Sequence, residues 1–175
     1  MASTYTPIAT TTISGSSTNS VTFNSFSGYT DLVLVSNWAS ANNVAILNIQ
    51  FNGDTGNNYS ETELRGAGVG NPSAESYRTS NHDRLWITLD TGSDTTLGKT
   101  MSICNIMNYA NTTTYKNIIS RAGAFGTNYY GTSLDVGLWR STSAITSFIL
   151  YNRASGVNYN FVSGSTFTLY GILAA

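Results

Sequence analysis

The chain is poor in almost everything that catalysis draws on. Eight Lys and Arg and nine Asp and Glu supply all the formal charge in 175 residues, for a net of −1, and there is one cysteine and one histidine. A single cysteine, Cys104, excludes an intrachain disulfide, and its neighbours Ile103 and Ile106 suggest a packed strand, so an inert core thiol is expected. One Cys and one His cannot build a structural zinc site. Near-neutral charge without like-charge runs removes the electrostatic footprint of nucleic-acid or anionic-membrane binding, and neither partner is expected. The longest apolar runs, such as Leu32 to Val35 and Phe148 to Tyr151, are far too short to span a bilayer, and the first residues lack a signal-peptide pattern. A soluble chain that is not classically exported is expected.

What the chain does contain is Ser, Thr and Asn, 67 residues of them, together with 18 Phe and Tyr. Apolar and polar positions alternate with period two, as in Leu47, Ile49 and Phe51 against Asn48 and Gln50, and Gly, Asn, Asp and Ser clusters interrupt the pattern every ten or so positions. No stretch of helical length carries a 3.6-residue period. The expected fold is all-β: one domain over residues 1–175, an antiparallel two-sheet β-sandwich, jelly-roll-like, of about 8–12 strands. Asn52-Gly53-Asp54 after an alternating run predicts a tight hairpin, because Asn and Gly tolerate positive φ.

Two stretches read as contact loops. Arg65 to Asp83 contains Gly66, Gly68, Gly70 and Pro72 and reads as the longest irregular insertion; Ala124 to Thr132 is the second. Between them they supply the candidate contact residues Tyr77, His82, Phe125, Tyr129 and Tyr130. Residues 1–20, anchored by Tyr5, Pro7 and Ile8, read as either an edge strand or an arm laid across a neighbouring subunit.

Chemical motifs are weak throughout. His82 stands beside Asp83 without a nucleophile, and Gly-x-Ser-x-Gly does not occur. Asp90 and Asp94 bracket Thr-Gly-Ser and Asp54 precedes Thr-Gly, but neither spacing fits a calcium loop, and Asp with Gly also serves ordinary turns. Glu61 and Glu63 share a face of a predicted strand, as paired glycosidase carboxylates could, although paired acids on a solvent face are commoner. No cofactor and no metal are expected. The remaining vocabulary of Tyr, Ser, Asn and Gly suits contact surfaces, against either a glycan or a neighbouring subunit.

Several stretches are recognisable together: Met-Ala-Ser-Thr-Tyr-Thr-Pro-Ile-Ala-Thr-Thr-Thr at 1–12, Tyr-Thr-Asp-Leu-Val-Leu-Val at 29–35, Phe-Asn-Gly-Asp-Thr-Gly-Asn-Asn-Tyr-Ser at 51–60 and Gly-Leu-Trp-Arg-Ser-Thr-Ser-Ala-Ile-Thr at 137–146. With the closing Gly-Ser-Thr-Phe-Thr-Leu-Tyr-Gly at 164–171, nearly the whole chain resembles small virion structural proteins of tailed bacteriophages, especially phages of cyanobacteria and other aquatic bacteria. The resemblance implies a non-enzymatic β-structure made in the host cytoplasm and carried on the particle. Its location would be the capsid, as a decorating or cement protein against the major capsid protein, or the tail, as a fibre-like part contacting host-surface glycans. A homotrimer is the expected assembly, because many strand edges on a charge-poor surface favour symmetric burial.

Overall fold

The structure, a computed structural model, describes residues 4–42, 46–68, 73–88, 99–125 and 130–173. Among these, thirteen strands form: β1 (Tyr5–Thr12), β2 (Ser20–Asn24), β3 (Asp31–Trp38), β4 (Ile46–Phe51), β5 (Tyr59–Ala67), β6 (Ser73–His82), β7 (Leu85–Trp86), β8 (Thr100–Met107), β9 (Lys116–Phe125), β10 (Tyr130–Trp139), β11 (Ser147–Ala154), β12 (Val157–Asn158) and β13 (Thr166–Ile172). All pair antiparallel, in two sheets. The larger has eight strands in the order β1-β13-β3-β8-β9-β10-β5-β6; the smaller has five, β12-β11-β4-β7 with β2 also on β11. They face each other as a β-sandwich.

Alternation sets what each strand buries. On β3, Leu32, Leu34, Ser36 and Trp38 point inward while Val35 and Asn37 point out; on β8, Ser102, Cys104 and Ile106 point inward while Met101 and Ile103 point out. Leu47, Ile49 and Phe51 of β4 and Phe148 and Leu150 of β11 meet them from the smaller sheet. Aromatic rings fill the ends of this core: Phe51 lies 5.5 Å from Trp139, and Phe161 4.9 Å from Phe167. The two buried hydroxyls of Ser36 and Ser102 bond each other at 2.6 Å within the larger sheet, and the Ser120 hydroxyl donates to the Ile87 carbonyl at 2.6 Å, tying that sheet to the segment that follows β7. Cys104 is buried, with burial pushing its thiol pKa far up.

Three expectations need correction. The Arg65 to Asp83 stretch is not an irregular loop: β5 runs to Ala67 and β6 begins at Ser73, with Gly66 paired to Ala74 inside the ladder. β6 is the outermost strand, polar and mostly exposed on both faces, so it lacks the one-sided apolar period that marks a strand in sequence. Tyr5, Pro7 and Ile8 do not form an arm: they lie on β1, which pairs with β13 of the same chain, Tyr5 packs edge-on to Tyr170, and Ile8 packs against the core. The edge-strand alternative is the one observed, and Pro7 sits beside a bulge, where a missing N–H is tolerated. Finally, Asn52 and Gly53 do adopt positive φ (52° and 69°), with the Asp54 N–H bonded to the Phe51 carbonyl, yet the turn makes no hairpin. It carries the chain from β4 in one sheet to β5 in the other.

Candidate functional site

The larger sheet is wider than the smaller one, and the site lies where that overhang begins. One row across its inner face reads Leu169, Leu34, Cys104, Ser120, Asp135, Glu63, Tyr77, each directly paired with the next. The row is apolar beneath the centre of the smaller sheet and polar at and beyond its edge strand β7. A second row places Glu61 beside Gly137, where an added Cβ would meet Leu85 and Ile118 at 2.8 Å; glycine there lets β7 approach closely.

Glu61, Glu63 and Asp135 are therefore inside, not on a solvent face, which corrects the commoner expectation for Glu61 and Glu63. Glu61 is only 6% exposed, and its Oε2 accepts the Trp86 backbone N–H at 2.6 Å, while its Oε1 has no hydrogen-bond partner among the described residues. Burial, reinforced by the neighbouring Asp135 and Glu63 carboxyls, pushes Glu61 up to about 8. Asp135 rises to about 7, chiefly by burial and then by the Glu63 charge, against a 2.9 Å hydrogen bond from the Ser133 hydroxyl. Through that bond to the Trp86 N–H, Glu61 tethers β7 to the larger sheet. Among the described residues no group of three or more His, Cys, Asp or Glu is arranged to hold a metal ion.

Above them the surface is cut by two clefts of about 230 and 240 Å³ that share the Ile46 and Trp86 walls. The first adds Glu63, Arg65, Tyr77 and Thr88; the second adds His82, Arg84, Arg153 and the β11–β12 turn at Ser155 and Gly156. Trp86 is thus the partition between them. Arg65 lies over the Tyr77 ring (4.4 Å) and pairs with Glu75 at 2.8 Å. His82 Nδ1 donates to the Arg84 carbonyl at 3.1 Å, leaving Nε2 toward Asp83 at 3.6 Å, and its ring stands edge-on to Trp86. Asp83 also pairs with Arg84 at 3.1 Å. Arg153 makes no salt bridge among the described residues.

Of the expected contact residues, Tyr77 and His82 lie on β6 rather than in a loop, one at each cleft. Phe125 and Tyr130 end β9 and open β10, paired across that hairpin, so they belong to strands too; Tyr129 lies outside the described residues. Tyr130 is five residues from Asp135, roughly 17 Å along the strand, and so belongs to a different region from His82. Asp90 and Asp94 also lie outside the described residues, and Asp54 ties the β4–β5 turn, accepting from Trp139 Nε1 at 2.7 Å. Trp86, Arg84, Arg153 and Asp135 escaped sequence reasoning. The signal for Trp86 was present: Leu85 and Ile87 bracket it at period two, which turns a large aromatic to the face opposite the core.

The opposite side of the larger sheet is a second surface of interest. Val35, Ile103, Leu134 and Leu64 lie in one directly paired row that also contains Arg121, and Met101, Met107 and Val136 extend it; all seven hydrophobic side chains are exposed, Met101 at 63%. Comparison with protein-family models, curated proteins and solved structures finds no match to this chain.

Proposed function

We propose that the protein is a non-enzymatic structural protein of a tailed-bacteriophage virion, a decorating or cement protein that binds the capsid as a homotrimer. The observation that carries this reading is the outer face of the larger sheet. Five adjacent strands, β3, β8, β9, β10 and β5, spaced at about 4.8 Å, make a face about 24 Å wide and about 20 Å tall. Arg121 is the charged side chain at its centre, ringed by aliphatic ones. Exposed apolar area on this scale is what interaction surfaces have and isolated monomers avoid. The phage-like stretches of the sequence point the same way, and with β1 paired inside its own chain, clamping falls to this face rather than to an arm.

Imaging of virions tests the reading. Density on the icosahedral shell is expected, and density confined to the tail refutes it. Ile103→Glu with Leu134→Glu, both on the exposed face, is expected to leave a folded monomer, with an unchanged β-sheet circular dichroism spectrum, while abolishing shell decoration and trimer formation by light scattering. A second reading, a tail appendage that contacts host-surface glycans, is favoured by one observation: Tyr77 and His82 flank the Trp86 clefts.

A further inference from the structure

The geometry points to the Trp86 groove as a binding site for an acidic sugar, a hexuronate or sialate ring, with Arg153 and Arg84 facing its carboxylate and the indole against its ring. This rests on the glycan-contact reading, and holds wherever on a particle the protein sits. Each cleft is smaller than the roughly 300–1,000 Å³ of drug-sized sites, a size suited to one ring, and the shared Trp86 wall makes two adjacent subsites.

Charge selects the ligand. In a chain with eight Lys and Arg, two arginines and the one histidine converge on the second cleft. Asp83 offsets Arg84, while Arg153 has no carboxylate within salt-bridge distance among the described residues, so the wall carries a net positive charge. Arg84 is shared with Asp83 and the Tyr151 hydroxyl, whereas Arg153 is the guanidinium of this cleft with no charged partner among the described residues. A planar, forked donor set of this kind matches a carboxylate.

The walls are held in place before any ligand arrives. Asn48 Nδ2 donates to the Arg153 carbonyl at 3.2 Å, Gln50 Nε2 to the Asp83 carbonyl at 2.8 Å, and Glu61 fixes the Trp86 backbone from beneath. Trp38 and Trp139 are buried, so Trp86 is the tryptophan that reaches solvent and presents an apolar face to a pyranose.

The test is titration of the full chain with glucuronate, N-acetylneuraminate, glucose, acetate and inorganic phosphate, read by tryptophan emission and by amide chemical shifts. One or both sugar acids are expected to bind and perturb Trp86, with glucose at least about tenfold weaker; whichever acid binds tighter identifies the source. Arg153→Gln is expected to lower sugar-acid affinity about tenfold or more with unchanged thermal unfolding, and Trp86→Phe to weaken it less. Glucose binding as tightly as the acids overturns the acidic inference and leaves the glycan reading standing. Acetate or phosphate binding as tightly as the sugar acids reduces the groove to a plain anion site and overturns it. Silence toward every sugar removes both it and the glycan reading.

Discussion

Raising the pH should loosen this sandwich, and Glu61 is the residue through which to see it. Its carboxyl moves from an ordinary 4.5 in the unfolded chain to about 8 in the fold, so between those values the native state holds a proton that the unfolded state has lost. Stability then falls as pH rises, by about 1.36 kcal/mol per pH unit. From pH 5.5 to 8, with the native carboxyl half ionised at the upper end, that amounts to about 3 kcal/mol for Glu61 alone, and at roughly 3 °C per kcal/mol for a chain of this size Tm should drop by about 9 °C. Asp135, raised from 3.8 to about 7, pushes in the same direction but is not additive, because the Asp135 charge is one of those that raise Glu61 and Glu63 raises both. Glu61→Gln isolates the effect. The amide oxygen can still accept the Trp86 N–H, and the buried oxygen that has no hydrogen-bond partner is replaced by an NH2 donor beside Glu63 and Asp135. Differential scanning calorimetry across pH 5.5–8.5 should show the variant matching the native protein at the acid end and several degrees more stable at the alkaline end. Equal slopes for the two proteins, or a native Tm that climbs with pH, would refute the reasoning.

Asp54→Ala should destabilise by about 2–3 kcal/mol, seen as a Tm loss of roughly 4–12 °C. Despite the desolvation of its site, hydrogen bonds from Trp139, Asn58 and Gly56 hold that carboxyl below its ordinary range, and removing it strands the buried indole N–H. Gly171→Ala should destabilise by about 1–3 kcal/mol in chemical denaturation, because its Cβ would fall inside the Tyr29 ring, which packs against the core. Cys104 should ignore a thiol reagent in the native protein and react fully in denaturant; rapid native labelling, or a dimer on a non-reducing gel, would contradict its burial.

The parts of the fold that announced themselves were those with one wet and one dry face. β3, β8 and β13 show alternating side chains because one side of each meets the core, and their positions follow from that pattern. β6 left no such mark. At the rim of the larger sheet its residues face solvent on both sides, so Ser73–His82 has the composition of a loop and becomes a strand only because β5 offers a free edge of N–H and C=O groups. Glu61 and Glu63 misled for the complementary reason. Period two fixes that they share a face, but which face is wet depends on how far the smaller sheet extends, and that is set by residues far away in sequence.

The amino-acid sequence alone determined the all-β architecture, the buried thiol and the scarcity of charged side chains, since each follows from composition or from a spacing of two along the chain. Only the tertiary structure decided where the few charges went. It drew Glu61, Glu63 and Asp135 beneath β7 and set Trp86 between two clefts, one bearing Tyr77 and the other His82, Arg84 and Arg153. Those neighbours come from β4, β5, β6, β7, β10 and β11, and no local pattern specifies them. Sheets of eight and five strands leave an overhang when packed, and the polar residues gather where the apolar cover stops.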